Sequence, residues 1–183
     1  MSVTLVEVMG AARCRRAALA AEVAGYVVLL AADQISAAPR RVSAADVVIT
    51  EDGSVRLVGG SAADAQAAES ALRELLDELL LVSSSGSAAL LRAARRDAAG
   101  SAERLIAELE VALIPANRSA ARRALARLSR ETIRARGRGQ AVAGTAAENP
   151  PRAPQRPVHV APPDHDLPPA RGGVEVPKRG RGA

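Results

Sequence analysis

Large aromatic side chains are almost absent from this chain, and their absence limits what its core can be. There is no Phe and no Trp, and Tyr26 is the only Tyr. Because aromatic rings normally supply much of the buried area of a domain, the core must consist of Leu, Val, Ile and above all Ala. Small side chains favour closely packed helices but bury little apolar area per residue. The sequence therefore predicts a mainly helical fold of modest stability.

Helical periodicity is clearest in residues 62–82. Glu69, Arg73 and Asp77 are spaced by four, and their alternating charges predict a solvent-facing side of the helix. The opposite side carries leucines at i, i+3, i+4, i+7 and i+8, the pattern of an amphipathic helix: Leu72, Leu75, Leu76, Leu79 and Leu80.

Further helices are predicted on both sides of this segment. An Ala- and Val-rich stretch from Arg13 to Ser36 predicts a largely buried helix. After the SSSGS loop at residues 83–87, Ser101 and Asn117 are the predicted N-caps of the second and third of three more helices: Ala88–Arg96, Ala102–Leu113 and Ser119–Arg134.

A β-hairpin over residues 46–58 interrupts the helical pattern. Val47, Val48 and Ile49 are β-branched, Asp52 and Gly53 form a strong two-residue turn signal, and residues 55–58 return the strand. Because an isolated hairpin is marginally stable in water, we expect it to pack against the leucine face of the helix at residues 62–82.

The positive charge divides the chain into two parts. Residues 1–133 carry 16 Arg against 16 acidic residues, whereas residues 134–183 carry 9 basic residues against 4 acidic ones and 9 of the 11 prolines. A segment with so few large apolar residues cannot offset its ordering entropy by burial. We therefore predict a helical domain over residues 1–136 and a disordered basic tail over residues 137–183.

Cysteine content and hydropathy favour a cytoplasmic protein. Cys14 is the only Cys, so an internal disulfide is impossible and a reducing compartment is expected. The first residues do not have the pattern of a signal peptide. The most apolar segment, Val23 to Ala32, is far shorter than the ~20 residues that a membrane span needs. No membrane association is expected.

The helix followed by the hairpin resembles the catalytic segment of bacterial serine/threonine protein kinases. In that family a helix leads into a His-Arg-Asp loop, an Asn begins the first strand, and Asp-Phe-Gly follows the second. When residues 50–53 are aligned with the acidic-glycine turn of the family, Arg41 falls where the family has its catalytic Asp. Asp46 then falls where the family has its metal-binding Asn. The Asp-Phe-Gly positions fall on Gly59, Gly60 and Ser61.

The segment LLRAARRDAAGSAERLIAELEVAL, at residues 90–113, resembles the closing helices of the kinase large lobe. Arg96-Asp97 lies at the family's Arg-Asp-Pro, and Ser101-Ala102 lies at its Pro-Ser-Ala. The resemblance covers about residues 13–113 and implies a degenerate C-lobe-like fold. The alternative is that a helical domain of another origin carries a hairpin, with Asp-Gly chosen only for its turn.

The departures from the family pattern predict a protein without catalysis. Phosphoryl transfer needs a positioning carboxylate, metal ligands and a lysine on the nucleotide. Arg41 cannot act as a base because its guanidinium stays protonated, Gly59 has no side-chain oxygen for a metal, and no Lys precedes Lys178. Asp46 alone would make a poor metal site. We therefore expect neither enzymatic activity nor a cofactor.

Two other groups of residues carry weaker signals. His159 and His165 lie beside Asp164 and Asp166 in the proline-rich tail, but two His without Cys in such a segment are a weak metal signal. Ser43 and the SSSGS loop have no ordered His nearby to act as a base. We predict solvated tail residues and a simple loop, with no metal site.

Arginines at positions 123, 127, 130 and 134 follow one side of the last predicted helix. Ala121, Leu125, Leu128 and Thr132 fall on its opposite side. A cationic face that continues into Arg-Gly repeats is suited to phosphates or to an acidic surface, although Arg is also an ordinary solvating residue. The basic residues assigned to partner binding are Arg123, Arg127, Arg130, Arg134, Arg136, Arg138, Lys178, Arg179 and Arg181.

Two functions are compatible with these features. The first is a non-catalytic scaffold or regulatory protein, resembling a pseudokinase fragment, that binds an acidic or groove-bearing protein partner through its surface and tail. The second is a small basic protein that binds nucleic acid through the Arg-rich end. Because aromatic residues that could stack on bases are missing, the second would bind the backbone without sequence preference.

Overall fold

The computed structural model describes residues 1–98, 101–114 and 117–147, with side chains described as far as Arg138. The predicted mainly helical fold with one β-hairpin is confirmed. Within the described residues the helices are α1 (Leu5–Arg13), α2 (Ala21–Ile35), α3 (Ala65–Leu81), α4 (Ala88–Arg95), α5 (Ala102–Ala112) and α6 (Arg118–Ala147). The strands are β1 (Ser2–Thr4), β2 (Arg40–Arg41), β3 (Val47–Thr50), β4 (Val55–Leu57) and β5 (Ser61–Ala62).

The N-terminal segment forms a strand and a helix that sequence analysis missed. Helix α1 begins with a capping box, in which the Glu7 amide donates to Thr4 Oγ1 and the Thr4 amide donates to Glu7 Oε2. The buried helix predicted from Arg13 to Ser36 is present only as Ala21–Ile35, so its predicted start was wrong and Arg13 belongs to α1. The chain turns between α1 and α2 at residues 14–20, where Arg15 takes a positive φ of 54°.

The hairpin is confirmed, and it belongs to a larger sheet. Strands β3 and β4 pair antiparallel in the register Val47 with Leu57 and Ile49 with Val55, and the turn residue Gly53 has a φ of 80°. Strand β1 pairs with β3 on the other side, giving the order β1-β3-β4, while β2 and β5 form a separate pair. The predicted partner of the hairpin was wrong, because the sheet packs against α1, α2 and α6.

Helix α2 lies at the centre of the core. Ten of its residues are buried, including Tyr26, and it packs against α3 and α5. The predicted leucine stripe of α3 is buried as expected, from Leu72 to Leu80. At Gly25 the side chains of Leu90 and Leu113 approach so closely that a Cβ would lie 2.8 Å from one Leu90 methyl. Small residues on α2 thus allow the close helix packing that a core with a single aromatic residue requires.

Glu69 and Arg73 are not on a solvent-facing side of α3, as sequence analysis predicted. Both are buried, and Arg73 donates to Glu69 Oε1 at 2.6 Å and 3.0 Å. Arg73 also donates to the Ala93 carbonyl and to Glu108 Oε2 at 3.0 Å. The charges are buried because α4 and α5 cover this side of α3. Spacing by four identifies a pair of partners, but not the helices that pack over them.

Two predicted caps have different outcomes. The Asn117 prediction is confirmed, since Asn117 Oδ1 accepts from the Ala120 amide at 2.9 Å. Ser101 precedes α5, but its side chain makes no capping hydrogen bond. Instead the Ser101 backbone amide donates to Glu69 Oε2 at 2.9 Å. The start of α5 is therefore tied to the buried charges of α3.

Helix α6 extends past its predicted end at Arg134 and past the predicted domain boundary at Arg136. It continues to Ala147, through Gly137 and Gly139. One Gly costs a helix only about 1 kcal/mol relative to Ala, and the following residues include several Ala. The rest of the predicted tail, from residue 148, lies outside the described residues.

Acid is expected to destabilise the domain through Glu7. The amide of Thr4 holds the pKa of Glu7 below its usual value, and Arg136, at 3.0 Å from Glu7 Oε1, adds to this lowering. A depressed carboxyl pKa contributes stability above the unfolded-state pKa, and this contribution is lost as pH falls through the folded-state value.

We therefore expect the free energy of unfolding to fall as the pH drops below the ordinary range of a glutamate carboxyl, and to fall less steeply in Glu7→Gln. Urea titrations at several pH values would measure this. Glu22→Gln is the matched control, because Glu22 is exposed and makes no ion pair with any described residue. Identical slopes in the two variants would contradict the role given to Glu7.

Candidate cationic groove

The positions that resemble kinase catalytic residues form only a small hydrogen-bonded turn. Asp46 Oδ2 accepts from the Ser43 amide at 2.9 Å and from the Ser43 hydroxyl at 2.7 Å. These bonds, with the Gly60 amide, lower the pKa of Asp46. A Cβ at Gly59 would overlap Asp46 Oδ1. Asp46 therefore closes a turn and lies against a backbone that has no room for a side chain.

Arg41 lies in the short β2–β5 pair, opposite Ser61, and is exposed. It makes no ion pair with a described residue. Within the described residues, no three side chains of His, Cys, Asp or Glu gather closely enough to hold a metal ion. His159, His165, Asp164 and Asp166 lie outside the described residues.

A cationic groove lies between the α1–α2 loop, the end of α3 and one face of α6. Its volume is about 890 Å³. Six arginines line it and Glu131 is the only acidic residue among its lining. The arginines are Arg13, Arg15, Arg16, Arg127, Arg134 and Arg138.

Most of the positive charge in this cationic groove is not neutralised by the protein. Arg127 donates to Glu131 Oε1 at 2.7 Å, one helical turn away, and this contact raises the pKa of Arg127. The other five arginines make no ion pair within the described part of the chain. Like charges gathered in one groove repel each other, so a bound anion would relieve this repulsion.

The SSSGS segment at residues 83–87, here called the serine loop, joins the α1–α2 loop to the end of α3 by hydrogen bonds. Ser84 donates to the Leu19 carbonyl through its amide at 2.7 Å and through its hydroxyl at 3.1 Å. Ser85 Oγ accepts from the Ala21 amide at 3.0 Å, at the start of α2, where no local side chain caps the helix. The loop that sequence analysis treated as a simple connection therefore fixes the α1–α2 loop relative to α3.

Only some of the α6 arginines that were assigned to partner binding lie in the groove. Arg127, Arg134 and Arg138 line it, whereas Arg123 and Arg130 are exposed outside its lining. Arg136 points away and pairs with Glu7 of α1. The remaining predicted binding residues, Lys178, Arg179 and Arg181, lie outside the described residues.

The second wall of the groove was not predicted from the sequence. Arg13, Arg15 and Arg16 fall within the segment that was predicted to be one long helix. The cluster RCRR at residues 13–16 was a visible charge signal, but nothing in the chain indicates that it would face α6. Its position follows from the turn at Arg15 and from the packing of α1 on α6.

The chain matches no protein-family model, no curated protein and no solved structure. None of the described helices combines the length and the hydropathy needed to cross a membrane.

Proposed function

We propose that this chain is a non-catalytic interaction protein whose cationic groove binds an acidic segment of a partner protein. One observation carries the proposal: five arginines without an ionic partner among the described residues converge on one groove from two walls. Arg guanidinium groups bind carboxylates with two parallel hydrogen bonds. Several acidic side chains on one segment would therefore each find a guanidinium.

The charge balance of the groove supports an anionic ligand. The C-terminal ends of α1 and α3 lie at the groove, since Arg13, Leu81 and Val82 line it. Each helix end contributes about −0.5 elementary charge, which is much less than the positive charge of the arginines. Because charges separated by more than ~10 Å are largely screened at 0.1 M salt, the electrostatic field of the arginines acts mainly on groups inside the groove.

We also propose that the domain descends from a kinase-like large lobe without retaining catalysis. The order of α2, the β3–β4 hairpin and the later helices supports this descent. The exposed Arg41 and the spatially restricted Gly59 support the loss of activity, because neither supplies a carboxylate for phosphoryl transfer.

Nucleic acid is the second candidate ligand, favoured by the exposed Arg123 and Arg130 beside the groove. Such binding would use phosphates over a wide surface, since Tyr26 is buried and cannot stack on bases. Its affinity would fall steeply with salt because counterions are released on binding.

Charge reversal in the full chain tests the protein-binding proposal. We expect Arg16→Glu and Arg134→Glu, one on each wall, to weaken binding of a labelled glutamate-rich peptide by about 1–2 kcal/mol each, roughly five- to thirty-fold. Fluorescence anisotropy would measure the affinity. Arg123→Glu is the matched control on the same helix and should change the affinity less than about threefold.

The same variants distinguish nucleic acid from a protein ligand. An oligonucleotide that binds more tightly than the peptide, and that is weakened as strongly by Arg123→Glu as by Arg134→Glu, would favour the second candidate. Equal loss of peptide binding in all three variants would contradict the assignment of the site to the cationic groove.

A further inference from the structure

The cationic groove contains an apolar surface as well as arginines. Leu81, the last residue of α3, lines the groove and is 74% exposed. The half-buried Val82 and the exposed Ala18 line the same groove, above the buried Leu19. Leu81 is thus a large apolar side chain in contact with water between two cationic walls.

Leu81 is not needed for the core of the domain. The buried stripe of α3 ends at Leu80, which is 9% exposed, and Leu81 lies outside it. Since Leu81 precedes the helix C-cap at Val82, a polar residue would satisfy the local structure equally well. An exposed Leu on its own is ordinary, but here it lies inside the groove that the arginines form.

We propose that the occupant of the groove is an acidic protein segment that carries one large apolar side chain between its acidic residues, and that Leu81 is the contact that selects this side chain. This inference rests on the proposed function. The arginines on the two walls would bind the flanking carboxylates, and the apolar side chain would pack on Leu81 and the half-buried Val82.

Charge complementarity and apolar contact make different contributions to such binding. Arginines at the rim raise the association rate and select anionic segments. Apolar contact at the centre of an interface excludes water and is insensitive to salt, so it provides discrimination between segments of equal charge. A nucleic-acid backbone has no aliphatic side chain to place on Leu81, so this contact favours a protein segment.

The serine loop makes the apolar contact suitable for selection. Ser84 binds the Leu19 carbonyl twice and Ser83 Oγ donates to the Leu80 carbonyl at 2.8 Å. The end of α3, which carries Leu81, is therefore hydrogen-bonded to the α1–α2 loop. A preformed surface loses little conformational entropy when a ligand binds.

Two labelled peptides that differ at one position test this inference with the full chain. Both carry glutamates on either side of a central residue, which is Leu in one peptide and Ser in the other. Because burial of an apolar side chain is favourable and depends little on salt, we expect the Leu peptide to bind about tenfold more tightly than the Ser peptide at high salt.

The preference for the Leu peptide should depend on Leu81. In Leu81→Ser the preference should fall to about twofold or less, while Ile114→Ser should keep it. Ile114 is the matched control because it is 72% exposed and lies outside the groove lining. Both replacements are on the surface, so equal melting temperatures by circular dichroism would show that each variant is folded.

The outcomes separate this inference from the proposed function. If both peptides bind equally well and Arg134→Glu weakens both, the groove binds acidic segments but the role of Leu81 is overturned. If the Leu preference persists in Leu81→Ser, the apolar contact lies elsewhere and the inference is again overturned. If neither peptide binds at low salt, the proposed function fails, and the inference fails with it.

Discussion

Replacing Gly53 with Val is expected to destabilise the domain by about 2–5 kcal/mol, from backbone strain and overpacking together. Gly53 has a φ of 80°, which a β-branched residue rarely adopts. The turn also lies against α6, where a Cβ would overlap the Arg122 carbonyl oxygen and come within 3.0 Å of the Ala126 amide nitrogen. Neither obstacle is a flexible side chain, so α6 or the turn must move.

The expected movement breaks the contacts between the hairpin turn and α6. Arg122 donates to the Asp52 carbonyl at 3.0 Å and pairs with the Asp52 carboxylate. Hydrogen bonds from Ser54 and Thr50, together with Arg122, lower the pKa of Asp52. Because α6 forms one wall of the cationic groove, Gly53→Val should also weaken binding of the acidic peptide.

Urea denaturation of Gly53→Val and Gly10→Ala would test this account. Gly10 is the matched control, since a Cβ there meets no atom within 4 Å. Its position within α1 predicts that Gly10→Ala stabilises the domain by about 0.5–1 kcal/mol. If Gly53→Val unfolded at the same urea concentration as the native chain, the turn would not be docked on α6 in solution.

Replacing Arg73 with Leu is expected to cost about 3–5 kcal/mol, because it leaves Glu69 buried without its guanidinium partner. The side chains of Arg73 and Glu69 are only 4% and 0% exposed. Arg73 also pairs with Glu108. Burial raises the pKa of Glu108, but Arg96 and Arg73 together outweigh this effect and lower it. One guanidinium thus joins α3, α4 and α5 through Glu69, the Ala93 carbonyl and Glu108.

An exposed ion pair between α3 and α4 provides the control for Arg73. Arg95 Nε lies 3.7 Å from Asp77 Oδ1, with 70% and 38% of the two side chains exposed. Arg95→Ala should therefore cost less than about 1 kcal/mol. The double variant Glu69→Leu with Arg73→Leu should cost less than the sum of the two single variants. Equal costs for Arg73→Leu and Arg95→Ala would contradict the burial of the Arg73 network.

Local patterns in the sequence determined most of the helices and the turn that joins two of the strands. The leucine spacing of α3 is a property of 3.6 residues per turn, and Asp52-Gly53 supplies the backbone conformation of a tight turn. The lack of aromatic residues likewise predicted small, closely packed side chains, which Gly25 and its neighbours on α2 show. None of these inferences requires knowledge of a distant contact.

The tertiary structure decided where the charges lie. Glu69 and Arg73 have the spacing of an ordinary surface pair, and only the covering helices α4 and α5 make them a buried network. Arg13, Arg15 and Arg16 are far in sequence from Arg127, Arg134 and Arg138, and a turn at Arg15 together with the packing of α6 on α1 brings them to one groove. Burial and convergence depend on which faces meet across long sequence separations, and periodicity within one segment does not contain that information.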